Sequence, residues 1–230
     1  MAKIIPLVAA VVVVVAVLIT FGDAITGQLT ARPETNLTKA ADIMEQLGPS
    51  GASGFFDESY SCLADKALLG MSGISSAVVL GNTVSLGNFS QPDHAWIMVT
   101  EEEGMAFGNN RRPVSRQQNP LYYQGFSFHD DSRLVEYIRL RERYSTISER
   151  IAFRESEFAD CTSELQEMIE KFNTEYGGKK ISEQSASAHA DVHEKMGECG
   201  AIHAVVESDR AELSYIENSM NNILSSTQML

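Results

Sequence analysis

Positive charge is scarce in this chain: 18 Lys and Arg stand against 31 Asp and Glu, for a net charge of −13. Phosphate binding needs a basic footprint, so no nucleic-acid partner is expected. The same deficit disfavours docking to an anionic membrane surface. Charge of either sign is missing from Ile4 to Phe21, an apolar run containing Pro6 and Thr20 and centred on Val11 to Val15. Cysteine is rare and odd in number, with three in 230 residues.

The uncharged run reaches the window of roughly 17–25 residues that a spanning helix needs. It is longer than the apolar core of about 7–15 residues found in a cleavable signal. Gly22-Asp23-Ala24 nevertheless offers a small-x-small cleavage pattern. Residues 1–24 are therefore read as a membrane anchor or a signal segment. Lys3 precedes the run and Asp23 is the first charge after it, so the positive-inside tendency leaves the N-terminus cytoplasmic. The expected location is the membrane, single-pass, with the bulk of the chain extracytoplasmic, or secretion if the segment is removed.

Hydrophobic residues make up 43% of the chain, enough for one sizeable core. Residues 25–53 read as a linker with one short helix, Leu37 to Leu47, stopped by Gly48-Pro49-Ser50-Gly51. Residues 54–129 mix short apolar runs with Gly, Asn, Ser and Pro, the pattern of a small α+β domain. Residues 130–230 carry two long helical patterns. On the first, Tyr137, Leu140, Tyr144, Ile147, Ile151, Phe158, Cys161, Leu165, Met168 and Phe172 recur at steps of three and four, interrupted by Arg154. Gly177-Gly178 breaks it. On the second, Val192, Met196, Cys199, Ile202, Val206, Leu213, Ile216, Met220 and Ile223 form the stripe. Two similar helices joined by a short turn predict an antiparallel coiled-coil hairpin with arms of roughly 65 Å. Such a rod spaces, dimerises or holds a coiled-coil partner.

Cys161 and Cys199 lie on these stripes, 19 residues either side of Lys180. Symmetric positions of an antiparallel hairpin share one height, and Ala159, Thr162, Gly197 and Gly200 allow close approach. A disulfide is predicted there, in keeping with export. The alternative is two buried thiols acting as small hydrophobes. Cys62 is then left alone.

The segment Tyr60 to Leu69 reads as a helix beginning at or just before Cys62. A thiol in that position feels the positive end of the helix dipole, which favours thiolate. The N–H groups of that first turn could also stabilise an oxyanion. Gly73 to Gly81 predicts a turn and a buried strand, Asp93 to Thr100 a second strand opening at His94, and Gly104 to Asn109 the return of a hairpin. Cysteine at a helix start, histidine on one strand and asparagine on the next suit nucleophilic thiol catalysis. Cys62 would attack, His94 would act as base and acid, and Asn109 would fix the imidazole tautomer. The competing reading is a packed core thiol and a satisfied core histidine.

From Tyr60 to Asn109 the sequence resembles the transglutaminase-like superfamily, a variant of the papain-type fold. The resemblance rests on a cysteine opening a helix, the Gly-Ile-x-x-Ala-Val-Val-x-Gly strand at Gly73 to Gly81, and His94-Ala95-Trp96. It departs in having Asn109 where the family usually has Asp, Met105 where it has an aromatic, and a shorter helix after Cys62. It implies a membrane-anchored thiol hydrolase or acyltransferase acting on amide bonds of a peptide, protein or wall polymer, with no cofactor. The alternative is a catalytically inactive binding or scaffold protein presenting the hairpin.

His189 and His193 share a helix face, but no set of three or four ligands accompanies them, so no metal is expected. The irregular stretch Arg111 to Tyr123 is a candidate wall for a substrate cleft. Tyr122 and Tyr123 are expected to pack between the two domains.

Overall fold

Glycines set the boundaries of the first two helices. Helix α1, Asn36–Leu47, ends where Gly48 turns the chain at φ 65°, and α2, Phe55–Met71, follows Gly54 at φ 88°. Positive φ is a conformation that glycine adopts without steric cost. The computed structural model describes residues 35–82, 92–100, 104–108, 110–177 and 186–230. The expected anchor, Asn109 and the tip of the hairpin lie outside the described residues. Among the described residues no helix is long and apolar enough to cross a membrane.

One turn of spacing puts Ala40 and Met44 on a single face of α1, and both are buried in the main core. The short helix expected within a linker is therefore part of the core. Helix α2 likewise presents Phe55, Glu58, Cys62, Asp65 and Leu69 inward.

The sheet is antiparallel throughout, in the order β4-β3-β2-β1-β5-β6. Its strands are β1 Ser76–Gly81, β2 His94–Val99, β3 Met105–Phe107, β4 Pro113–Val114, β5 Phe126–Phe128 and β6 Gln228–Met229. All six residues of β1 are buried, as a central strand covered on both faces should be. Period-two alternation sends Val78, Leu80, Ala95, Ile97 and Phe107 toward the helices. Val79, Trp96, Met98 and Ala106 face the other way, beneath Tyr122 and Tyr123. There the Trp96 indole N–H donates to the Tyr122 carbonyl at 2.8 Å, and the two rings meet edge-on at 5.1 Å. The two tyrosines thus cap the back of the sheet and do not join it to the helical hairpin, contrary to the sequence expectation. Gly81 lies against Trp96 so closely that a Cβ there would come within 2.4 Å of the ring.

Helix α3, Asp131–Tyr176, is capped by Asp130, whose side chain accepts from the Ser132 N–H at 2.8 Å. Helix α4, Ala186–Ser225, runs back along it. Partners descend on one arm as they ascend on the other: Arg150 pairs with Asp209, Glu164 with Lys195, and Cys161 with Cys199. The hairpin is therefore antiparallel, and its apolar centre is Ile147, Ile151, Val206 and Ile216. Two positions depart from the expected stripe. Met196 is half exposed, one place off the seam, while Asp209 occupies the seam between Val206 and Leu213, buried and held by Arg150.

The base of the hairpin does not form a domain of its own. Leu134, Tyr137, Ile138, Ile223 and Leu224 complete the core of the head. Beyond α4 the chain adds β6 to the edge of β5. Asn36–Leu230 is one compact unit.

Candidate active site

A buried helical stripe of unusual polarity faces the start of β2. Glu58, Cys62 and Asp65 follow one another at helical spacing along α2, and all three are buried. Because α2 starts at Phe55, it is Glu58 that occupies the first turn. Its carboxylate is favoured there by the helix dipole. It also accepts from the Ala95 N–H at 3.2 Å and lies 3.0 Å from His94 Nδ1.

Cys62 sits in the interior of α2, not at its beginning, which corrects the position expected from sequence. The N–H groups of its turn are engaged in the helix, so they are not free to hold an oxyanion. Burial pushes its thiol up from the ordinary value of 9.0, and the charges of Asp65 and Glu58 push the same way; only Arg111 opposes them. Each of these favours the neutral thiol over the thiolate nucleophile. No hydrogen bond joins Cys62 to His94, whose Nδ1 is given to Glu58. Of the three residues expected to form a triad, His94 meets Glu58, Cys62 lies one turn further along α2 with no hydrogen bond to the imidazole, and Asn109 lies outside the described residues.

Asp65 explains what fills the space beside Cys62. Arg111 grips it with both prongs, Nε to Oδ2 and Nη2 to Oδ1, each at 2.9 Å. The same guanidinium donates to the Gly48 carbonyl at 3.0 Å and to Ser61 Oγ at 3.3 Å. A cation thus meets the C-terminal end of α1, where the helix dipole favours it. Arg111 itself adopts φ 57°, a left-handed conformation uncommon outside glycine. The cavity left among Glu58, Cys62, Asp65 and Arg111 is about 10 Å³. That is room for at most one water molecule. From the segment expected to wall a cleft, Arg111 lines this cavity, while Tyr122 and Tyr123 pack on the other face of the sheet.

The sequence pattern assigns no role to Glu58 or Asp65, and to Arg111 only a place in a candidate cleft wall. The signal for Glu58 was its place one turn before Cys62, which puts both on one face of any helix through them. Arg111 offered no such signal, because it acts across 46 residues of chain. Two of the three hairpin histidines pack against aromatics: His189 against Phe172 at 4.5 Å and His203 against Phe158 at 5.1 Å between ring centres. Among the described residues no cluster of three potential metal ligands occurs.

No family model, curated protein or solved structure matches this chain. The chemistry of the site has to be read from its own geometry. A carboxylate orients an imidazole here, while the nearby thiol is buried, pushed toward its neutral form and not hydrogen-bonded to that imidazole. The arrangement pins α2 to β2 and to the loop at Arg111.

Proposed function

We propose that this protein is a non-catalytic binding or scaffold protein, in which a degenerate transglutaminase-like head carries a long, disulfide-tied helical hairpin away from a membrane. The observation that carries this reading is the burial of Cys62 in the middle of α2, with no hydrogen bond to His94, whose Nδ1 is held by Glu58. A thiol enzyme needs its histidine within reach of its sulfur. The order of a helix, a buried strand and a strand opening at His94 supports a transglutaminase-like ancestry for the head. Ile4 to Phe21 supplies the membrane attachment, and the Cys161–Cys199 disulfide fits an extracytoplasmic hairpin. A rigid pair of helices of 46 and 40 residues suits a partner that binds along its length.

Iodoacetamide labelling of the native chain tests this reading. Cys62 should react much more slowly than a free thiol at pH 7, and His94→Ala should not slow it further. Faster labelling than a free thiol, abolished by His94→Ala, would restore the thiol-enzyme reading and overturn this one.

A further inference from the structure

A far larger opening than the one beside Cys62 lies at the root of the hairpin. A cleft of about 450 Å³ lies between the start of α2 and the facing sides of α3 and α4. Small-molecule sites occupy about 300–1,000 Å³ and combine apolar walls with a few convergent polar groups. Here Phe55, Phe56, Tyr144 and Met220 furnish the apolar walls.

Arg141 reaches into the same cleft from α3. Its guanidinium lies 3.9 Å from the centre of the Phe55 ring and donates to the Pro92 carbonyl. Elsewhere in the molecule Arg111, Arg143, Arg150, Arg154 and Arg210 each hold a carboxylate. Arg141 forms no ion pair among the described residues, although the chain carries an excess of acidic groups. A half-buried guanidinium has five N–H donors in a planar fork matched to a carboxylate. The stacked ring, the Pro92 carbonyl and the Tyr137 hydroxyl together leave part of that fork unused. Glu217, exposed on the α4 wall, would repel a second negative charge.

From this juxtaposition we propose that the cleft binds an apolar monocarboxylate, its carboxylate on Arg141 and its hydrophobic body against the aromatic wall. The inference does not depend on whether the head is catalytic. Calorimetric titration of the full chain with naphthoate, and with the neutral naphthamide as isosteric control, tests it. Naphthoate should bind one-to-one, and naphthamide at least tenfold more weakly. Arg141→Gln should cost naphthoate tenfold or more. Ser148→Trp, which fills the cleft while leaving Arg141 in place, should abolish binding with the thermal midpoint retained. Equal affinity for the amide, undiminished binding in Ser148→Trp, or no saturable binding at millimolar naphthoate would each overturn the proposal.

Discussion

His94 Nδ1 lies 3.0 Å from Glu58 Oε2, so the histidine that opens β2 is tied to the first turn of α2. The carboxylate is almost fully buried at 4% exposure, while the imidazole keeps 32%. The Ala95 N–H donates to the same oxygen. Burying that carboxylate costs less because it is paired with the imidazole and hydrogen-bonded to the backbone of the next residue.

Removing the imidazole should therefore destabilise the head without affecting the hairpin. Hydrogen bonds to charged groups contribute about 1.5–3 kcal/mol. His94→Ala is expected to lower stability by about that amount in urea denaturation. Hydrogen exchange should quicken in β1 and β2 and stay unchanged around Ile151 and Val206. A neutral effect on the head would mean that the pair does not hold α2 to β2.

The Cys62 thiol gives a pH dependence of definite sign. Burial raises its pKa above the ordinary 9.0, so the folded chain keeps a proton that the unfolded chain releases. This group leaves stability unchanged below about pH 9. Above it, stability falls by up to about 1.4 kcal/mol per pH unit, until the folded thiol also ionises. Tyr60, Tyr122 and Tyr137 are also shifted upward, from 10.0, and act in the same sense at higher pH. Between pH 9 and 10 the slope should flatten in Cys62→Ala. An unchanged slope in that variant would show that the thiol is not the titrating group.

Arg111 and Asp65 are a buried pair, 15% and 5% exposed. Replacing one partner strands the other charge, at a cost of about 3–5 kcal/mol. Asp65→Ala should lower the thermal midpoint sharply, and the double variant Asp65→Leu with Arg111→Met should recover much of the loss. If the single and double variants were equally unstable, the packing of Arg111 against α1 would matter more than its charge.

The disulfide joins residues 38 apart, with Cα atoms 5.7 Å from each other. Loop-closure entropy for that separation gives a stabilisation of about 4 kcal/mol at 25 °C. Non-reducing peptide mapping should recover Cys161 linked to Cys199, with Cys62 free. Reduction should lower the denaturation midpoint, while Cys62→Ala leaves the link in place. Recovery of three free thiols from the oxidised protein would refute the pairing.

Local patterns carried most of what could be read from the chain alone. The alternating three- and four-residue steps fixed the two long helices. Their symmetry about Lys180 placed Cys161 opposite Cys199, because a turn between equal arms leaves one register. The strands of Gly73 to Gly81 and of His94 onward were also legible, since buried β-rich runs between glycines and polar residues have few alternatives. Tertiary structure decided the site. Whether Cys62 opens a helix depends on where α2 begins, and the packing of Phe55 and the turn at Gly54 set that start seven residues earlier. Whether His94 meets a thiol or a carboxylate then depends on its height along α2, because Glu58 and Cys62 share one face and stand one turn apart. The reach of Arg111 to Asp65, like the return of β6 to β5, joins residues far apart in sequence whose affinity depends on burial. Burial is a property of the assembled core, and no window of sequence contains it.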